Sequence, residues 1–144
     1  MRALLDVNVL IALLDAAHLD HRLARRWLSA NIEHGWASCP ITQNGCVRIL
    51  SQPSYPNTVP TELALQRLAG ACATPMHHFW PDDLSLLDAD VLNRDLVYGP
   101  NQLSDIYLLA LATRHGGRFV TFDRKIPLTA VRGARPEHLQ LLGV

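Results

Sequence analysis

Short apolar runs alternate along the chain with segments in which apolar residues recur every three or four positions. Four runs of strand length are rich in apolar and aromatic residues: 2–6, 36–39, 77–80 and 118–122. Helical periodicity is clearest over 103–115, where residues 103, 106, 107, 110 and 111 lie on one buried helix face. This alternation predicts a single α/β domain, residues 1–144, with helices packed against a mostly parallel central sheet.

The starts of the predicted helices coincide with residues that commonly cap a helix N-terminus. These expected caps are Asn8, Asp20, Thr42, Thr61 and Ser104. Gly116-Gly117 is expected to end the last helix, since glycine readily adopts the left-handed conformation found there. The proline-rich segment 51–60 is expected to be a loop, and the tail after Asp123 a loop that ends in a short apolar piece at 139–142. Residues 83–87 fit either a short helix or a short strand.

Acidic residues stand where such a fold would bring them together. Asp6 ends the first predicted strand and Asp123 follows the 118–122 strand. In one parallel sheet both reach the carboxyl edge, where open α/β sheets build their sites. Asp105 lies in the first turn of the 103–115 helix, where the helix dipole favours an anion. Converging carboxylates repel one another, and Mg²⁺ or Mn²⁺ would remove that repulsion. For Asp105, an ordinary acid at a helix start stays open as the alternative.

Composition limits the choice of function only weakly. The 144 residues are 49% hydrophobic, which fits one domain with a sizeable core, and 13 basic residues balance 13 acidic ones. Net charge therefore does not indicate a nucleic-acid partner. Basic residues are nevertheless concentrated near Asp123, at positions 114, 118, 124, 125, 132 and 135. They form either solvated surface or a phosphate-binding rim.

The cysteines indicate a reducing compartment. Cys39, Cys46 and Cys72 are widely spaced and form no CxxC pair, which argues against a zinc site and a disulfide framework. No apolar run approaches the length of a membrane span, and the apolar N-terminus is interrupted by Asp6 and Asn8. The sequence therefore predicts a cytoplasmic protein with no membrane partner.

Four segments, in this order, resemble the PIN-domain ribonucleases, and among them the VapC-type toxins of bacterial toxin–antitoxin pairs. They are DVNVLIALL at 6–14, SCPITQNGCVRIL at 38–50, LSDIYLLALA at 103–112 and GGRFVTFDRKI at 116–126. The resemblance implies a three-layer α/β/α sandwich. It also implies Mg²⁺- or Mn²⁺-dependent cleavage of RNA, a cognate VapB-type antitoxin and a homodimer.

The same resemblance implies which residues form the site. The first, third and fourth acids of the family fall on Asp6, Asp105 and Asp123, and Asn8 and Thr121 fall on supporting positions. The second acid, a glutamate, is replaced by Gln43. Glutamine keeps the shape of glutamate but carries no charge and cannot act as a base. We therefore expect Gln43 to face the same cleft and to weaken activity, whether it is natural or a deliberate inactivation.

Two further functions are compatible with the same residues. A catalytically weak PIN domain could hold RNA or an antitoxin without cutting it, and Gln43 favours that alternative. An aspartyl phosphoryl-transfer protein would need a second acid closely after Asp6, where Asn8 stands instead. Of the pair His77-His78, one is expected to face the core and the other water. Trp27, Trp36 and Trp80 are expected in the core.

Overall fold

The computed structural model describes residues 1–143 and contains a five-stranded parallel sheet. Its strands are β1 (Ala3–Leu5), β2 (Trp36–Ser38), β3 (His77–Phe79), β4 (Arg118–Thr121) and β5 (Leu139–Leu141). Their order is β3-β2-β1-β4-β5, and every neighbouring pair is parallel. The chain leaves β1 in one direction through β2 and β3 and in the other through β4 and β5. An open α/β sheet forms a crevice where this direction reverses, here between the carboxyl ends of β1 and β4.

Five α-helices flank the sheet. They are α1 (Val7–Leu14), α2 (His21–Asn31), α3 (Pro40–Leu50), α4 (Thr61–Cys72) and α5 (Leu103–Arg114). No helix within residues 1–143 is both long and apolar enough to cross a membrane. Helix α5 ends where predicted, because Gly116 adopts a φ of +65° directly after it.

Side chains of the strands point alternately to two separate hydrophobic cores. Leu4, Ala37 and Phe119 belong to the core that contains the buried residues of α5. Leu5 and Val120 belong to the other core, which contains buried residues of α1, α3 and α4. Because successive strand residues face opposite sides, both faces of the sheet are covered. The three-layer α/β/α sandwich expected from the sequence is therefore confirmed.

Helices α1 and α3 pack closely on the sheet face next to the carboxyl edge. A Cβ atom added at Gly45 of α3 would lie 2.7 Å from Cγ2 of Val7 in α1. That distance is shorter than a carbon–carbon contact allows, so glycine permits this approach of the two helices. The contact holds α3, and with it Gln43, beside the start of α1.

Four of the expected helix caps are wrong. Asp6, rather than Asn8, caps α1, and its side chain accepts a hydrogen bond from the Val7 backbone N–H. Helices α3, α4 and α5 begin at Pro40, Thr61 and Leu103, so Thr42 and Ser104 lie inside the first turn and Thr61 is the first helical residue. Proline needs no N–H partner at the first position and already has a helical φ, which lets α3 start earlier. Asp20 does precede α2, although its side chain makes no capping bond.

Two expectations outside the helices also differ from the structure. The tail after Asp123 is not only loop, since Leu139–Leu141 pairs with Phe119–Thr121 as the edge strand β5. Residues 83–87 form neither a helix nor a strand. Instead, Leu92 forms an isolated antiparallel bridge with Val131. Both pairings join segments far apart in sequence, so local periodicity carries no signal for them.

Candidate active site

Three aspartates converge at the crevice between β1 and β4. Asp6 directly follows β1, Asp123 lies two residues beyond β4, and Asp105 lies in the first turn of α5. The charges of Asp6 and Asp123 both act on the Asp105 carboxyl, which also shares a hydrogen bond with Asp123. The structure thus brings together the three acids that the sequence singled out. We call Asp6, Asp105 and Asp123 the carboxylate cluster.

Asp6 is the most deeply buried member of the carboxylate cluster. Its Oδ1 accepts a hydrogen bond from Val7 N at 2.7 Å, and its Oδ2 accepts one from the Thr121 hydroxyl at 2.6 Å. Burial raises the pKa of Asp6, the two hydrogen bonds lower it, and the charge of Asp123 raises it again; the net shift is upward. A buried carboxylate held by only two donors next to another negative charge is an incompletely compensated anion.

Thr121 and Asn8 connect the strands that carry the cluster. The Thr121 hydroxyl donates to Asp6 and accepts from the backbone N–H of Asp123 at 3.0 Å. The side-chain oxygen of Asn8 accepts from the Phe122 backbone N–H at 3.5 Å, a long bond. Asp123 Oδ1 accepts from Lys125 N at 2.9 Å, which shapes the turn after β4. Both residues expected to support the acids therefore contact the segment that carries Asp123.

Asp105 shows the cost of bringing three carboxyl groups together. Burial, then the negative charge of Asp6, then the hydrogen bond and charge of Asp123 raise the pKa of Asp105 to about 7. Without a counter-cation, the cluster therefore takes up a proton at a much higher pH than an isolated aspartate does. This pKa is typical of functional sites, where like charges are held close by the fold.

The donor set of the cluster fits a hard divalent cation by its chemistry. All the side-chain ligands are carboxylate oxygens, which Mg²⁺ and Mn²⁺ prefer. The excess negative charge that raises the pKa of Asp105 is the charge that such a cation would neutralise. Within residues 1–143, however, no group of three His, Cys, Asp or Glu side chains surrounds a common point at ligand distance. The carboxyls of Asp105 and Asp123 instead lie close enough for Asp123 to raise the pKa of Asp105.

Gln43 lies on α3 at the same edge of the sheet, beside the end of β2. Its side-chain nitrogen Nε2 donates to the hydroxyl of Ser38 at 3.0 Å. It also lines a groove of about 920 Å³ between α3 and α4. No hydrogen bond joins Gln43 to the carboxylate cluster among the described residues. Sequence reasoning missed Ser38, whose only signal was a small polar residue at a strand end.

The basic residues near the C-terminus do not form one rim. Arg118 begins β4, at the opposite end of that strand from Asp123, and donates to Asn31 at 3.0 Å while lying over the Trp27 ring. Arg132 donates to the Ala89 carbonyl at 2.8 Å. Arg124 and Lys125 are exposed directly after Asp123. These last two follow Asp123 directly, whereas Arg118 lies at the other end of β4.

Other candidate residues lie largely as expected. His77 is partly buried against Ser38 and His78 is exposed. Trp36 and Trp80 are buried, each with a histidine ring beside it, and Trp27 is partly buried. The three cysteines are free, and Cys39 and Cys46 are buried.

Comparison with known proteins defines the class to which this chain belongs. The model of the PIN domain family matches residues 3–132. The chain is 56% identical over 142 residues to ribonuclease VapC44 of Mycobacterium tuberculosis, covering 99% of this chain and all of that protein. It is 43% identical to ribonuclease VapC39 of the same organism, over 92% of this chain and 96% of the relative. The chain therefore belongs to the PIN domain family, and within that family it is of the VapC type.

Solved structures support the fold independently. VapBC2 from Rickettsia felis, solved bound to a DNA fragment from its promoter, superposes with a TM-score of 0.61 at 13% identity, with 99% of each chain covered. M. tuberculosis VapC20, described as a toxin that cleaves the sarcin–ricin loop, gives a TM-score of 0.54 at 14% identity. That match covers 81% of this chain and 85% of VapC20. Identities this low establish the shared fold and nothing further.

Proposed function

We propose that the protein is a metal-dependent endoribonuclease, the toxin of a toxin–antitoxin pair. The observation that carries this proposal is the carboxylate cluster at the crevice between β1 and β4. The names of the VapC relatives, all ribonucleases, supply the reaction class and the substrate class. The free thiols fit a protein of the reducing cytoplasm, where we place its action.

Asp6, Asp105 and Asp123 would hold Mg²⁺ or Mn²⁺ in this proposal. Such a cation, when bound, lowers the pKa of coordinated water and neutralises charge that develops on the phosphodiester. Asp6 is held in place by hydrogen bonds from the Val7 backbone N–H and the Thr121 hydroxyl. Arg124 and Lys125, exposed beside Asp123, are placed to attract the phosphate backbone of RNA.

A test of this function compares matched proteins on the same RNA. We expect the purified chain to cleave RNA with Mn²⁺ present and to stop when a chelator is added. Asp6→Asn, which keeps a capping oxygen for α1, should remove cleavage and weaken Mn²⁺ binding in a calorimetric titration. Equal Mn²⁺ affinity for the wild type and Asp6→Asn would contradict a metal site at Asp6.

Gln43 favours a second candidate, a PIN domain that binds RNA or its antitoxin but cleaves weakly. Its amide has no charge, and its nitrogen is already committed to Ser38. A general base at that position is therefore absent from this chain. RNA binding without measurable Mn²⁺-dependent cleavage by the wild type would support this second candidate over the first.

We propose a VapB-type antitoxin as the protein partner and a homodimer as the toxin state. The antitoxin is suggested by VapBC2, a solved structure that contains a chain of this fold. Exposed apolar side chains such as Leu19 and Leu87 offer surface for self-association. Sedimentation should show a dimer at tens of micromolar, roughly above common interface affinities. A purely monomeric species at that concentration would count against the dimer.

A further inference from the structure

A continuous chain of hydrogen bonds runs from the surface of α3 into the protein behind the carboxyl edge. Gln43 Nε2 lies 3.0 Å from the hydroxyl oxygen of Ser38, which is fully buried at the end of β2. The same oxygen lies 2.7 Å from Nε2 of His77, at the start of the neighbouring strand β3. We call Gln43, Ser38 and His77 the polar chain. Neither the carboxylate cluster nor the family comparison accounts for it.

The chemistry of the three groups gives the polar chain a direction. An amide nitrogen carries only hydrogens, so Gln43 donates and Ser38 accepts. The single hydroxyl hydrogen of Ser38 must then go to another acceptor. His77 Nε2 is at 2.7 Å, whereas the alternative, the sulfur of Cys72, is at 3.9 Å and is a weak acceptor. Ser38 therefore donates to His77, whose Nε2 carries a lone pair.

The surroundings of His77 support a neutral ring with its proton on Nδ1. Burial lowers the pKa of His77, the Cys72 backbone carbonyl acts in the opposite sense as an acceptor, and electrostatic interactions with His78 and Arg2 lower it further. The net shift is downward, which favours the neutral form at pH 7. The Trp36 ring, with its centroid 4.5 Å from that of His77, limits rotation of the imidazole.

We propose that Ser38 and His77 are positioning residues that hold the Gln43 amide with its nitrogen inward and its oxygen free. Gln43 lines the groove between α3 and α4. The free oxygen would there accept hydrogen bonds from donor groups of RNA, such as ribose 2′-hydroxyls. This assignment of the ligand rests on the proposed ribonuclease function. The orientation of the amide rests only on the hydrogen bonds of the polar chain.

A substitution at position 43 should therefore be detectable at His77, two side chains away. In Gln43→Glu the carboxylate has no hydrogen to donate, so Ser38 must donate to Glu instead. His77 Nε2 then loses its donor and must itself supply a hydrogen to the Ser38 oxygen. The ring changes from the Nδ1–H form to a form protonated on Nε2. A residue that merely packed beside Ser38 would produce no such change.

Long-range ¹H–¹⁵N NMR of the full-length chain reads this change directly, since it distinguishes the two ring nitrogens. His77 is assigned as the signal missing from His77→Gln. We expect a lone pair on Nε2 in the wild type and a proton on Nε2 in Gln43→Glu. Asn44→Asp places the same new charge on the adjacent, exposed residue and should leave His77 unchanged. A proton on Nε2 in the wild type, or identical spectra for wild type and Gln43→Glu, would overturn the proposal.

RNA kinetics test the positioning role separately. If one hydrogen bond from the amide oxygen to RNA is lost, Ser38→Ala should raise KM about fivefold with little change in kcat. The same substitution made in Gln43→Ala should add nothing, because Ser38 acts through Gln43. Additive effects would show that Ser38 is only structural. If the His77 change is observed but no RNA is cleaved, the polar chain stands and the ribonuclease function fails.

Discussion

The two ends of helix α1 carry aspartates in opposite electrostatic environments. Asp6 precedes the helix and Asp15 follows it, and little of either residue is exposed (6% and 5%), but the Asp6 carboxyl lies much deeper in the protein than that of Asp15. Burial raises the pKa of Asp6 beyond what its hydrogen bonds recover. At Asp15, burial also raises the pKa, but hydrogen bonds from Tyr55, Asn57 and the Ala17 backbone outweigh it, and the net shift is downward.

Low solvent exposure alone therefore does not identify a functional acid. Asp15 has neutral donors on both oxygens, and it ties the 51–60 loop to the end of α1. Asp6 shares its space with Asp105 and Asp123, whose charges it repels. A carboxylate with a full set of neutral donors is a structural element, whereas carboxylates crowded by one another need a proton or a cation.

The largest expected effect comes from replacing aspartate with asparagine, once in the carboxylate cluster and once at Asp15. Asp105→Asn should lower Mn²⁺-dependent RNA cleavage by at least ~10²-fold, because it removes an acid of the cluster. Its metal-free melting temperature should rise, since one repelling charge is gone. Asp15→Asn should retain cleavage per folded molecule but melt at a lower temperature. Gel-based cleavage rates and thermal melts measure both; loss of cleavage in Asp15→Asn alone would reverse the comparison.

Adding an acid at position 43, at the same sheet edge as the carboxylate cluster, is expected to have the next largest effect on RNA cleavage. Gln43→Glu supplies a base that this chain lacks, and we expect Mn²⁺-dependent cleavage to rise by at least roughly tenfold. Toxicity on expression without antitoxin should rise as well. The double variant Gln43→Glu with Asp105→Asn should lose the gain. If cleavage is unchanged in Gln43→Glu while Asp6 and Asp105 substitutions abolish it, position 43 is structural.

The contributions of Asp105 and Asp15 to stability should change with pH over different ranges and in opposite directions. The folded pKa of Asp105, about 7, exceeds the unfolded value of about 3.9. Its contribution to stability is therefore complete below about pH 4 and is lost as pH rises to about 7. The folded pKa of Asp15 is depressed, so its contribution is present above about pH 4 and is lost as pH falls through the folded pKa.

Melting temperatures of the metal-free protein, measured at a series of pH values, test these directions of change in stability. Asp105→Asn should strongly reduce the decline between about pH 4 and 7, to which the raised pKa of Asp6 also contributes. Asp15→Asn should reduce the loss of stability in acid. Saturating Mn²⁺ should also reduce the decline towards pH 7. A wild-type stability that rises steadily from pH 4 to 7 without metal would contradict the crowded cluster.

The smallest expected effect concerns Asp15, the aspartate that follows α1 and whose oxygens both accept hydrogen bonds. Tyr55 donates its hydroxyl hydrogen to Asp15 Oδ2. Tyr55→Phe removes that donor and should destabilise the fold by about 1–2 kcal/mol. For a chain of this size that corresponds to a fall of roughly 2–8 °C in melting temperature. Tyr98→Phe, at an exposed tyrosine, serves as the control and should leave the melt unchanged.

The sequence by itself determined the elements and the identity of the acids. Strand and helix periods are local properties, so β1 to β4 and the five helices were predicted within a few residues. Asp6, Asp105 and Asp123 were predicted to converge because each directly follows a strand or starts a helix, and parallel strands bring such positions to one edge. The VapC-type resemblance added the substrate class that no local pattern contains.

Only the tertiary structure decided which polar groups satisfy one another. Asp15 and Tyr55 are 40 residues apart, and Ser38 and His77 are 39 apart, so no local period links them. Strand β5 likewise exists because β4 offers it a free edge. Whether an acid is structural or crowded depends on donors that arrive from distant segments. That is why the sequence could name Asp6 but could not distinguish its environment from that of Asp15.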